Sequence, residues 1–230
     1  MTTFPRTPLT VPPLENGDRL SRDEFERRYA AMPDTKAELI EGVVYVASPV
    51  RLGSHGRPHS QMMAWVSPYW VTTLGVDVGI DSTVRLDSGN EPQPDILIRL
   101  EQGYGGKSRL TADDYVEGSP ELVIEIAAST ATFDLYEKKT AYGRNGIQEY
   151  IVWQVFDRKI DWFYWDNDRY VDLEPGEDGL CRSRVFPGLW LDREAMVQGN
   201  LAQVVARLNQ GLQSTEHQTF VEKLQSTQGA

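Results

Sequence analysis

Apolar residues recur with two spacings along the chain, and each change of spacing marks a new element. Phe25, Tyr29 and Met32 share one helical face. The helix carrying them starts at Ser21, where Ser21 and Glu24 have the form of a capping box, and Pro33 ends it. Ahead of it, residues 1–20 hold four prolines and no periodicity, which predicts an extended arm. Residues 38–47 read as two strands hinged at Gly42, followed by a loop over 49–58. A helix from His59 to about Leu74 has Pro68 as a kink or break. Residues 76–86 alternate as a strand or hairpin, and 93–100 form a short strand entered through Pro94. Polar residues 101–118 predict a mobile loop. The run 120–128 is the most β-like of all. After it come a helix over about 132–145 stopped by Gly146, a buried strand at 149–155, and a hairpin over 159–173 turning at Asp166–Asp168. Two polar helices close the pattern, over about 193–208 and 214–224. This order predicts a mixed α/β core with strands around one central helix.

The 230 residues fit one domain with additions: an arm (1–20), a main domain (21–191) and a helical extension (192–230). The 34 acidic residues outnumber the 23 Lys and Arg, giving a formal charge of −11. That excludes a protein that coats DNA or anionic membrane by net charge. It leaves a nuclease open, because a metal site needs carboxylates. The single cysteine, Cys181, excludes an internal disulfide and a cysteine-based zinc ribbon, and fits a reducing compartment. No apolar run is long enough to span a membrane, and the N-terminus lacks the basic-then-apolar order of a signal peptide. A soluble, cytoplasmic protein is expected.

Three features carry candidate chemistry: Pro94-Asp95 opening an apolar strand, Glu125 inside Leu122–Ile126, and Asp134–Tyr142 on the next helix. A carboxylate within an apolar strand is costly unless it is paired or binds a cation. Alternation puts Val123, Glu125 and Ala127 on one face and Leu122, Ile124 and Ile126 on the other. If the strands of Asp95 and Glu125 pair, the two carboxylates converge at one sheet end. Two such carboxylates suit Mg²⁺; an ion pair with a nearby Arg or Lys is the other reading. Asp134, Lys138 and Tyr142 succeed one another at four-residue spacing along one helical face. Lys138 facing the carboxylates would neutralise phosphate charge or position water; otherwise it is a solvated lysine in an ion pair.

The ordered series Glu38-Leu-Ile-Glu-Gly42, His55, Gln93-Pro-Asp95, Pro120–Glu125, Asp134-x-x-x-Lys138-x-x-x-Tyr142 and Gly146–Tyr150 resembles the family of "putative restriction endonucleases", long carried as a domain of unknown function. That family belongs to the PD-(D/E)XK nuclease superfamily, and the match covers about 23–191. The resemblance implies a restriction-endonuclease-like fold: a central mixed sheet of about four to five strands with flanking helices, to which the hairpin and C-terminal helices add. It implies catalysis by Asp95, Glu125 and Lys138, with Asp95 and Glu125 holding Mg²⁺ or Mn²⁺ and a backbone carbonyl near Ile126 assisting. Many superfamily members place a lysine two residues after the Glu; here that position is Ala127, and Lys138 on the helix matches this family's lysine instead. Glu38 is implied as a further metal or water ligand, His55 as a residue lining the cleft, and Tyr142 as support for Lys138 or packing. The implied reaction is hydrolysis of DNA, by a homodimer.

The remaining candidates are weaker. His55 and His59 are four apart, but no His-Glu-x-x-His motif is present, so a helix N-terminal role or a hydrogen bond to the loop is favoured over zinc. Glu121 follows Pro120 and reads as solvated. The aromatic set Trp153, Trp162–Trp165 and Tyr170 reads as sheet core or a dimer face in preference to a base-stacking platform. Arg51, Arg57, Lys107 and Arg109 fall in predicted loops and could meet phosphates. The rival to an endonuclease keeps the fold without catalysis, as a binding or interaction protein, a reading that the acidic charge favours.

Overall fold

The computed structural model describes residues 11–128 and 130–227. Residues 1–10, half of the expected arm, lie outside them. The helix α1 (Arg22–Tyr29) begins as the capping pattern predicts, with Ser21 Oγ accepting from the Glu24 amide. It packs on a hairpin of β1 (Ala37–Ile40) and β2 (Val43–Val46), hinged at Gly42, whose φ of 73° suits glycine. The described part of the arm docks there: Leu14 joins Phe25, Ala37, Leu39 and Val44 in a small core, and Arg19 bridges Val43.

A π-helical turn, Leu52–Gly56, runs into α2 (Arg57–Thr72), so the segment expected as loop is helical from Leu52 onward. Pro58 lies in the first turn of α2, where no amide donor is needed, and so it starts the helix. Pro68 does not break α2, because Trp65, Val66 and Tyr69 around it are fully buried and hold the axis.

The span 76–86 divides into β3 (Val76–Ile80) and β4 (Val84–Arg85), which join different sheets. The strand β5 (Ile96–Leu100) follows, then β6 (Arg109–Leu110) and β7 (Val116–Glu117), which make a three-stranded sheet with β4. The segment expected to be mobile is therefore pinned. Arg99, buried, donates to Ser108 O and Oγ, and Glu121 accepts from the amides of Leu100 (2.8 Å) and Lys107 (3.1 Å). Glu121 is thus buried, not solvated: it closes a loop whose own amides lack strand partners.

After β8 (Leu122–Ala127) the chain crosses over through α3 (Ala131–Phe133), a second π-helical turn (Asp134–Lys138) and α4 (Lys139–Arg144). It returns as β9 (Glu149–Gln154), parallel to β8, as a helical crossover allows. Next are β10 (Lys159–Asp166) and β11 (Arg169–Asp172), which turn through Asn167 and Asp168, both at positive φ. The central sheet has the order β11-β10-β9-β8-β5-β3, and only β8–β9 is parallel. It is a mixed sheet of six strands, one or two more than expected, because β3 and β11 extend its two edges.

The short pair β12 (Cys181–Arg182) and β13 (Trp190–Leu191) leads to α5 (Arg193–Gln198), α6 (Leu201–Leu212) and α7 (Thr215–Thr227). The helix expected over 193–208 is two, because Gly199 adopts a left-handed φ of 76° and Asn200 caps the next helix through the Gln203 amide. One sheet face packs Ile124, Ile126 and Trp162 against Trp65 of α2, Met196 of α5 and Leu208 of α6. The other packs Val123, Ala127, Val152 and Phe163 against Tyr142 of α4. The alternation read from the sequence of β8 is observed, and all six of its residues are buried. Trp153, Trp162 and Phe163 are core, which removes them as a stacking platform. No helix among the described residues is long and apolar enough to cross a membrane.

Candidate active site

Asp95 stands one step before β5, and Glu125 lies in β8. The ladder pairs Ile96 with Ile124 in antiparallel register, so the next step brings Asp95 opposite Glu125. Asp95 confirms the approach directly: its Oδ2 accepts the Ile126 amide at 2.6 Å. Its Oδ1 lies 3.0 Å from His55 Nε2, delivered by the π-helical turn before α2. Leu122–Ala127 form a strand because β-branched and apolar residues fill both faces, and Glu125 is the one charge within it.

The crossover brings the ammonium. Lys138 ends the second π-helical turn, and its Nζ lies 3.0 Å from Glu125 Oε1, 2.9 Å from Glu38 Oε2 and 3.9 Å from Asp134 Oδ1. Tyr142, one turn on, donates to Glu125 Oε1 at 2.7 Å. Glu38, on β1, is fixed from its other side by the Gln93 amide at 2.6 Å. The Gln93 side chain donates in turn to Tyr29 Oη and Thr83 Oγ1. The β1–β2 hairpin, the inner strands β5 and β8 and the crossover thus meet at one cluster.

Burial opposes every charge in this cluster, and the neighbours decide the outcome. Burial would lower the Lys138 pKa, but Glu125, Glu38 and Asp134 raise it well above the usual range, so the ammonium stays charged. Burial raises Glu125 well above the usual carboxylate range against the opposing pull of Lys138, and Asp95, Asp134 and Glu38 raise it further. Burial likewise lifts Asp134 to about 6. Asp95 goes the other way: burial is outweighed by its bond to His55, the His55 charge, the Ile126 amide and Lys138, and its pKa falls. His55 is raised by the same bond. Four carboxyl groups therefore crowd around the Lys138 ammonium and the His55 ring, and the raised pKa of Glu125 and Asp134 reflects their mutual repulsion as well as burial. A hard divalent cation suits such a donor set, and the residues present fit one.

Of the residues singled out in the sequence, Asp95, Glu125, Lys138, Glu38, His55 and Tyr142 all reach this cluster. His55 bonds Asp95 from the turn just before α2, which agrees with the cleft-lining position that the resemblance implies and replaces the expected hydrogen bond to the loop. Tyr142 both packs, against Tyr150, and bonds Glu125. The role of Gln93 was missed, since a backbone amide leaves no trace in residue type. Asp134 was seen only as a neighbour of Lys138; its place in an apolar-flanked turn was the available signal. Among the loop cations, Arg109 is paired with Glu117, while Arg51 and Arg57 are exposed on either side of the turn that carries His55.

The chain matches the family model Uma2, described as "Putative restriction endonuclease", over residues 22–194. No curated protein matches it. A solved structure, described as a putative nuclease belonging to DUF820 from Anabaena variabilis ATCC 29413, is similar with a TM-score of 0.55 and 13% identity, covering 74% of this chain and 97% of that one. At that identity the likeness concerns the fold, which is that of a nuclease-like mixed sheet. The family model spans every element that builds the cluster, from α1 to the start of α5, and the chain belongs to the Uma2 family of putative restriction endonucleases.

Proposed function

We propose that this protein hydrolyses phosphodiester bonds of DNA with a divalent cation, Mg²⁺ or Mn²⁺, held by Asp95 and Glu125. The observation that carries the reading is the cross-strand meeting of these two buried carboxylates with a charged Lys138 Nζ 3.0 Å from Glu125. When bound, the ion supplies an activated water and a Lewis acid for the phosphate. Asp95 and Glu125 would be its side-chain ligands. His55 orients Asp95, and Tyr142 orients Glu125. Lys138 offers positive charge to the phosphoryl oxygens, where negative charge grows in the transition state. Glu38, anchored by the Gln93 amide, holds the ammonium at that place.

Nicking of supercoiled plasmid in Mg²⁺ tests this. Wild-type protein is expected to nick, and Glu125→Gln and Asp95→Ala to lose the activity. Nicking that persists in both variants would assign the activity elsewhere. A wild type that never nicks, yet retards DNA in a gel, would leave a nuclease-fold binding protein.

A further inference from the structure

His55, His59 and Asp95 each place a ligand atom within 4.8 Å of the other two. His55 lies in the π-helical turn Leu52–Gly56 and His59 in the first turn of α2. The two rings meet edge to face, with centroids 5.9 Å apart and planes at 90°. Asp95 Oδ1 faces them, 3.0 Å from His55 Nε2. His59 Nε2 is buried and has no hydrogen-bond partner among the described residues. Leaving such an atom buried and unpaired is unfavourable, because its lost hydration is not replaced. A proton shared by His55 and Asp95 satisfies those two and leaves His59 idle. A cation among the three would engage a nitrogen of each ring together with the Asp95 carboxylate.

We propose that His55, His59 and Asp95 form a site for a first-row transition ion of the zinc class. Imidazole nitrogens suit Zn²⁺ and its neighbours, whereas Mg²⁺ takes hard oxygen ligands and keeps its waters. Metal–ligand bonds of about 2.0–2.2 Å place donor atoms roughly 3–3.5 Å apart; His55 Nε2 and Asp95 Oδ1 already stand at 3.0 Å, and the His59 ring has to close in on them from within 4.8 Å. Three protein ligands leave one position open for water or a ligand oxygen. The site differs in donor chemistry from the carboxylate pair Asp95 and Glu125, and it stands whether or not that pair supports hydrolysis. The two share Asp95, through which an ion here would fix the carboxylate that faces Glu125.

Titration of the full chain with Co²⁺, read by visible absorption, tests the proposal. One ion per chain with the intense bands of a low-coordinate site is expected, displaced by Zn²⁺ and not by excess Mg²⁺. His59→Ala and His55→Gln should each weaken binding at least about tenfold, while Glu125→Ala should leave it unchanged. Binding that survives both histidine changes, or is lost in Glu125→Ala, places the ion among the carboxylates and overturns the proposal. So does the absence of any Co²⁺ spectrum in the wild type. The nicking test of Glu125→Gln in Mg²⁺ is independent of this readout, so the two readings fail separately.

Discussion

Tyr142 donates its hydroxyl to the same Glu125 oxygen that receives the Lys138 ammonium, at 2.7 Å and 3.0 Å. One carboxylate oxygen is thus held by two donors from successive turns of the crossover helix. Hydrogen bonds to charged groups contribute about 1.5–3 kcal/mol when buried. Tyr142→Phe keeps the ring against Tyr150 and removes only this bond. The variant is expected to lose about 1–2 kcal/mol in urea unfolding and about tenfold in nicking rate. Unchanged nicking with normal stability would show that the hydroxyl merely fills its cavity.

Lys138 ion-pairs with Glu125, Glu38 and Asp134 together. Removing one partner of a buried charge cluster costs about 3–5 kcal/mol, because the remaining charges stay uncompensated. Lys138→Met should therefore abolish nicking and lower stability strongly in metal-free buffer. A divalent cation that enters the cluster offsets part of that charge, so added Mn²⁺ should recover more stability in the variant than in the wild type. Unfolding curves with and without Mn²⁺ measure this. Equal shifts in the two proteins would separate the cation from the carboxylates that surround Lys138.

Much of this cluster could be read before any coordinates, for definite physical reasons. Glu125 stands out because a charge inside Leu122–Ile126 conflicts with its surroundings, and the period of two fixes its face. Lys138 and Tyr142 follow from a four-residue spacing. The His55–Asp95 bond was not legible, because it joins residues forty positions apart through a π-helical turn that Gly53, Gly56 and Pro58 disguised as loop. The burial of Glu121 leaves no mark in the sequence, because its partners are backbone amides far along the chain, of Leu100 at the end of β5 and of Lys107 in the loop beyond it. The β10–β11 hairpin follows from its turn at Asp166–Asp168, whereas the pairing of β3 with β5 joins segments separated by a turn cluster and leaves no mark in residue type.

Gly143 seats the crossover helix against the hairpin. A Cβ there would overlap the Trp165 ring. Trp165 is held on its other side by an edge contact with Tyr170, whose hydroxyl donates to Ile147 O. Gly143→Ala must therefore displace α4, which carries Tyr142 and follows directly on Lys138. Overpacking of this kind costs about 1–3 kcal/mol. A loss of stability in that range is expected, with a nicking defect that Trp165→Leu partly relieves in the double variant by making room. Strict additivity of the two changes would show that the helix does not rest on that ring.

Glu149 anchors the other side of the sheet. Its Oε1 accepts the amides of Arg184 (2.6 Å) and Val185 (3.2 Å), and its Oε2 accepts Trp162 Nε1 (3.1 Å) and Ser183 Oγ (2.8 Å). Burial nevertheless lifts its pKa from 4.5 to about 7, against those four donors. The folded state then holds a proton that the unfolded chain releases near 4.5, so its contribution to stability is complete below that pH and fades as pH rises through about 7. At about 1.4 kcal/mol per pH unit, the effect reaches about 3 kcal/mol. Glu149→Gln cannot titrate, and its amide meets donors at every pH, so it is less stable throughout. The gap between wild type and variant should be widest below about pH 4.5, narrow as pH rises towards about 7 and be closed by about pH 8 as far as titration sets it. Urea unfolding across that range measures it. A gap that widens with pH would mean that the four donors hold Glu149 as a carboxylate in the fold and that burial is the weaker influence.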